Sequence, residues 1–299
     1  MVRPCIALAS ALDEFYHRPA ARVLRRWWSD FGRLILPTDC AGCSAPDESL
    51  CPDCRRRLRR ATARPYRAEA GAESLPFLDD CPEDVPGGFE LHHRQILPVV
   101  AAGRYRHELA LAILAFKNHG RTGLAPVLAA ALGRAVHEAA GQLRGAGAGP
   151  LLLVPVPSRP GTRRRRGYEP LGVLLHRLER HALLPPDTVL LPAVTIPVRP
   201  RARLHGLLGG PSQKALGRSA RRRNVSGSMR VGPRFCRVLA GRSCLLVDDV
   251  LTTGATLAEL ARVVRQAGGR VVGGTVLAAT SAPAGNPPAP HQPSANSTA

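Results

Sequence analysis

The chain has 299 residues and a formal charge of +20, with 44% hydrophobic and 4% aromatic residues. That hydrophobic share excludes wholesale disorder, the length fits one full core plus a smaller module, and so few aromatics argue against a stacking platform for single-stranded nucleic acid. The charge favours polyanionic partners, nucleic acid or phosphorylated metabolites, without choosing between them, and because every basic residue except Lys117 and Lys214 is arginine, a general bias toward Arg weakens any finer reading of it.

The apolar run Cys5 to Leu12 stops at Asp13-Glu14, which is short for a secretory leader. No stretch approaches the ~20 apolar residues of a membrane span, so a cytoplasmic protein is expected. In an N-terminal segment, 1–36, Val23, Leu24, Trp27, Trp28, Phe31, Leu34 and Ile35 recur at helical spacing and predict a short amphipathic helix docked through its tryptophans.

Pro37 ends that helix, and a four-Cys module over 37–60 follows, Cys40-x2-Cys43-x7-Cys51-x2-Cys54. Two C-x-x-C pairs can turn four sulfurs onto one ion, and an S4 set favours a structural zinc, which would supply most of the folding energy of so short a module. Two redox-active pairs or unligated thiols are the other reading. Cys5, Cys81, Cys236 and Cys244 lack partners at ligand spacing and are expected to be plain core or surface residues. The basic run Arg55 to Arg60 is either a solvated helix end or a grip on a nucleic-acid backbone.

Residues 61–94, rich in Ala, Pro, Gly and acids, have the composition of a linker. Beyond them a strand is expected at Ile96–Ala102 and a helix carrying Leu109, Ile113, Leu114 and Phe116. Another helix follows from Leu124 to about Ala140. Leu151-Leu152-Leu153-Val154 and Cys244-Leu245-Leu246-Val247 are apolar throughout, the mark of strands buried on both faces. A further strand is expected from Val271 to Ala278. Helices near Leu171–Leu183 and Thr256–Ala267 alternate with these strands. The alternation predicts a mainly parallel α/β sheet over 95–280. The tail, 281–299, has the composition of a disordered segment.

The most informative segment is Val247-Asp248-Asp249-Val250-Leu251-Thr252-Thr253-Gly254-Ala255-Thr256. A buried strand ends in two carboxylates, and a hydroxyl- and Gly-containing turn then opens a helix. Backbone N–H groups and the helix dipole make such a turn a phosphate site. The acids would repel phosphate, so they are expected to serve vicinal sugar hydroxyls with Mg²⁺ nearby. The segment resembles the 5-phosphoribosyl 1-pyrophosphate (PRPP) signature of the type I phosphoribosyltransferases. That resemblance implies phosphate binding by Thr252, Thr253, Gly254, Ala255 and Thr256, and ribose binding by Asp248 and Asp249. A decayed site kept for folding is the alternative.

Lys117-Asn118-His119-Gly120, Val154-Pro155-Val156-Pro157, Arg163-Arg164-Arg165-Arg166-Gly167-Tyr168, Gln213, and Arg221-Arg222-Arg223 before Asn224 follow in an order that, behind a four-Cys module, resembles the ComF family of phosphoribosyltransferase relatives. The resemblance implies a type I phosphoribosyltransferase sheet behind a zinc-ribbon-like module. It also implies Arg166 and Lys117 near pyrophosphate, and a flap over about 199–229 bearing Arg223 and Asn224. A departing pyrophosphate needs cations, and an oxocarbenium-like ribosyl centre needs shelter from water. Where relatives read Arg-Gly-Phe/Tyr-Asn-Gln, this chain has Arg166-Gly167-Tyr168-Glu169-Pro170, which puts in doubt either the usual substrate or full catalysis. The expected activity is Mg²⁺-dependent transfer of ribosyl 5-phosphate from PRPP to an unidentified nitrogenous acceptor. The competing expectation is a non-enzymatic accessory of DNA uptake, competence or DNA processing. It would meet single- or double-stranded DNA, or the competence machinery, through its zinc module and Arg clusters, with the PRPP site as sensor or relic.

Overall fold

A computed structural model describes residues 39–78, 95–145, 149–158, 167–197 and 227–280. The expected N-terminal helix, Cys5, Cys81, Arg166, Arg223, Asn224 and the C-terminal tail lie outside them. The chain divides into two units at Arg55/Arg56, inside helix α1 (Pro52–Ala61).

The second unit is built on six strands, β1 (Tyr66–Arg67), β2 (Val99–Arg104), β3 (Leu151–Pro155), β4 (Thr188–Leu190), β7 (Ser243–Leu251) and β8 (Arg270–Ala279), in the order β1-β2-β8-β7-β3-β4. All neighbours pair parallel except β1 with β2. A separate two-stranded ribbon joins β5 (Val194–Thr195) to β6 (Arg230–Val231). Leu151, Leu153, Val154, Leu245, Leu246 and Val247 are fully buried, as their unbroken apolar runs require of central parallel strands.

Helix α2 (His107–His119) closes on Gly120, whose φ of +64° and N–H to the Ala115 carbonyl stop the helix just past Lys117. Helix α3 (Ala125–Leu143) buries Leu128, Leu132 and Val136 and packs on β2, β8 and α4 (Pro170–Arg180). A short helix, α5 (Pro233–Leu239), precedes β7, and α6 (Ala255–Gln266) packs on β7 and β8. No helix among the described residues is long and apolar enough to cross a membrane.

Three expectations are revised. The strand expected at Ile96 begins at Val99, because Pro98 lacks a ladder N–H and Ile96 instead bridges Phe77. Residues 66–78, inside the expected linker, belong to the sheet's edge. Tyr66 and Arg67 pair with β2, Ala68 and Ala72 enter the core, and Leu97 N–H donates to the Pro76 carbonyl at 2.8 Å. Finally, β7 does not end in its acids but runs on to Leu251. Pairing with β3 ends at Val247, but pairing with β8 continues to Leu251, so Asp248 and Asp249 lie within a strand held on one side.

Candidate functional site

The strand order places a switch point between β3 and β7. The chain leaves β3 toward β4 on one side and β7 toward β8 on the other. In open parallel sheets, ligands bind beyond the carboxyl ends of strands at such a point. Here that crevice receives the Pro155–Ser158 segment after β3, the acid pair of β7, and the turn into α6. Val156 N–H donates to the Val247 carbonyl at 2.8 Å, which sets the first of these segments against the residue before Asp248.

The acids sit in unlike surroundings. Lys117 Nζ, from the last turn of α2, lies 2.7 Å from Asp249 Oδ2. Asp248 Oδ1 accepts the Asp249 backbone N–H at 2.8 Å. Burial, and then the charge of Asp249, push the Asp248 carboxyl up to about 8, against the smaller opposing pull of the Asp249 N–H and Lys117. The structure thus brings the expected cation Lys117 to the expected acid pair. Sequence spacing could not reveal this, because α2 and β7 meet only in the fold.

The turn after β7 has a floor that the sequence reading missed. Gly254, at the N-cap of α6, has φ +84°, and a Cβ there would lie 2.7 Å from Leu75 Cγ and 3.1 Å from the Leu75 nitrogen. Ser74 N–H donates to the Thr253 carbonyl at 2.8 Å, and Ala255 N–H donates to Thr253 Oγ1 at 3.4 Å. Gly254 therefore answers to backbone conformation and to Leu75 beneath it. The Thr252 and Thr256 positions lie in the same turn and first helical residues, with Thr252 exposed and Thr256 half-buried. This is the arrangement of a helix N-terminus that offers N–H and hydroxyl donors to an anion.

Two more residues join the site. Tyr168 donates its hydroxyl to the Phe116 carbonyl, one residue before Lys117, and its ring meets Phe116 edge-on at 5.8 Å. Ser158 N–H donates to Glu169 Oε1 at 3.2 Å. The hint in the sequence was the departure Glu169-Pro170, which has this physical meaning.

The Cys module stands apart in kind. The four sulfurs of Cys40, Cys43, Cys51 and Cys54 lie within 4.8 Å of one another, and Cys43 and Cys51 Sγ are 3.6 Å apart. Four sulfurs at the Zn–S length of ~2.3 Å stand ~3.8 Å apart at the corners of a tetrahedron, so the cluster fits zinc. Cys51 N–H and Gly42 N–H donate to Cys40 Sγ at 3.3 and 3.4 Å. Burial opposes ionisation of Cys40, but these N–H donors outweigh it and bring the thiol down to about 6. Burial and the neighbouring sulfurs raise Cys54. Among the other cysteines, Cys244 is buried in the core and its thiol is pushed up to about 12 by burial, a packing role as expected.

Comparison with known proteins places this architecture. Residues 217–291 match the phosphoribosyl transferase domain. The mainly parallel sheet and the acid-pair turn are accordingly those of a phosphoribosyltransferase-type α/β domain. The chain is 26% identical to Competence protein F of Haemophilus influenzae over 221 residues, which is 73% of this chain and 85% of that protein. Over 34 residues it is 62% identical to the adenine phosphoribosyltransferase of Rhodococcus opacus, 11% of this chain and 19% of that one. With the four-Cys cluster ahead of the domain, these similarities support the ComF-like phosphoribosyltransferase family for this chain.

Proposed function

We infer that the chain binds Mg²⁺–PRPP at the switch point and transfers its ribosyl 5-phosphate to a nitrogenous acceptor, releasing pyrophosphate. The observation that carries this reading is the juxtaposition of Asp248, Asp249 and Lys117 with the Thr252–Thr256 turn at one strand end. In this reading the turn's N–H and hydroxyl groups take the 5-phosphate, and the carboxylates take the ribose hydroxyls. Lys117 both orients Asp249 and adds positive charge beside the leaving group.

The carboxylate oxygens suit Mg²⁺, a hard cation that pairs one or two carboxylates with substrate oxygens and water. Asp248 and Asp249 would hold it, and it would neutralise pyrophosphate charge. Arg166, Arg223 and Asn224 are proposed as further contacts to the anion. Chemistry of this class asks the protein for positioning and charge neutralisation more than covalent help, and a turn, two acids and cations provide both.

Calorimetric titration of Mg²⁺–PRPP into the zinc-loaded protein tests the reading. Saturable binding, weakened at least ~100-fold in Asp248→Asn/Asp249→Asn, is the expected result. No binding to the folded protein would overturn it.

A second reading has its own support. The relative named Competence protein F and the exposed arginines 55, 56, 59 and 60 on α1 favour an accessory role in DNA uptake or processing. Duplex or single-stranded DNA binding that falls steeply with salt is then expected, and binding that is absent or flat with salt would exclude direct DNA contact.

A further inference from the structure

The four sulfurs of the Cys module are gathered together, yet they are not equally open to solvent. Cys40 and Cys54 are only 2% and 3% exposed, whereas Cys51 is half-buried and Cys43 is exposed. The two accessible sulfurs belong to different C-x-x-C pairs, and they stand 3.6 Å apart. The backbone brings them together. Between them the chain passes through the left-handed region at Ser44 (φ +61°) and Asp47 (φ +65°), and Ala41 N–H donates to the Ser49 carbonyl at 3.1 Å, which lays the Cys43 arm against the Cys51 arm. Cys54, by contrast, is fixed within α1.

A zinc ion bound to this set keeps all four sulfurs as thiolates, and the thiolate is the form that attacks peroxides. With the same ionisation imposed on every sulfur, access separates them. A small oxidant meets Cys43 first, and Cys51 is the neighbouring sulfur that is itself partly open.

We propose that Cys43 is an oxidation site, and that hydrogen peroxide joins Cys43 to Cys51 in a disulfide that bridges the two C-x-x-C pairs and releases the metal. Cys43 Sγ attacks one peroxide oxygen, the O–O bond breaks, and the sulfur becomes a sulfenic acid while hydroxide leaves and takes up a proton. The Cys51 thiolate then attacks the Cys43 sulfur, forming the S–S bond and displacing a second hydroxide, which is protonated in turn. Two electrons pass from the two sulfurs to one peroxide, and two waters result. Cys40 and Cys54 remain as two thiolates of a site built for four, so oxidation and zinc release are one event. This chemistry depends on the fit of the cluster to zinc and does not require PRPP.

The test uses the full-length protein, expressed with added zinc and titrated with hydrogen peroxide while a chromogenic chelator reads the released metal. Free thiols are then alkylated and the bridges mapped by mass spectrometry of an unreduced digest, in which cleavage before Asp47 and Asp53 separates Cys51 from Cys43 and from Cys54. One zinc released per disulfide is expected, with Cys43–Cys51 as the main bridge, and dithiothreitol with fresh zinc should restore one ion per chain. Cys43→His keeps a zinc-ligating nitrogen at the exposed position and removes the reactive sulfur, so its release should be about tenfold slower or more. If that variant holds no zinc, the wild-type bridge map decides alone. A main bridge within either C-x-x-C pair, Cys43 driven to sulfinic acid without a bridge, or equally fast release from zinc-loaded Cys43→His would each overturn the proposal. So would zinc retained under excess peroxide, or a purified wild-type protein that holds no zinc.

Discussion

The two units reach order by opposite routes. Among the described residues the Cys module buries little beyond Cys40, Leu50, Cys54 and Leu58, and its four sulfurs, gathered within 4.8 Å, could hold a metal ion, whose binding would supply the cohesion that so short a segment cannot bury. The α/β unit needs no such clamp. Its central strands are fully buried, and its site is a set of strand ends and turns held in place by that core. The lesson is about where each can fail. Losing one ligand should undo the first unit as a whole, whereas losing one residue of the second should perturb the crevice and leave the sheet standing.

The sharpest way to break the comparison is Cys40→Ser/Cys54→Ser. Removing two of four thiolates is expected to abolish a zinc content of one per chain, erasing a contribution on the order of 10 kcal/mol to local folding. Hydrogen exchange should then rise across residues 39–55 while protection persists in β3, β7 and β8. Equal loss of protection in both units would show that they are not independent.

A smaller effect is expected at the turn. Gly254→Ala must hold a side chain at φ +84° and displace Leu75, with an expected cost of about 1–3 kcal/mol in urea unfolding. Leu75→Ala in the same chain should recover only part of this, since the backbone strain and the approach to the Leu75 nitrogen remain. Full recovery would mean that side-chain contact alone matters.

A third effect is one of pH. With the folded Asp248 raised to about 8 against an ordinary value near ~4 in the unfolded chain, the folded state holds the extra proton between those values. Stability of the ligand-free protein should therefore fall as pH rises from about 4 to about 8. Asp248→Asn should flatten that part of the Tm–pH curve and raise Tm most at its upper end. An unchanged slope would place the titration elsewhere.

Much of this architecture was legible before any coordinates. Leu151–Val154 and Cys244–Val247 announced central parallel strands because burial on both faces leaves no polar alternation, and the acid pair followed by a Gly-Thr turn announced the strand-to-helix junction found between β7 and α6. What stayed hidden had no local signature. Residues 66–78 join the sheet through two paired residues and small buried alanines, a composition that a solvated linker shares. The Lys117–Asp249 pair spans elements far apart in the chain, and the continuation of β7 through its acids depends on β8 extending beyond β3. Glu169 could be noticed as a departure, but its tether to Ser158 could not.

The Lys117–Asp249 pair carries one practical consequence. Arginine so dominates the basic residues that Lys117 and Lys214 are the chain's only primary side-chain amines. An amine-directed acylating reagent is therefore almost a site-directed one. The acylation of Lys117, followed by peptide mass spectrometry, makes occupancy of the neighbouring carboxylates visible in the unmodified protein, without an assay for any reaction.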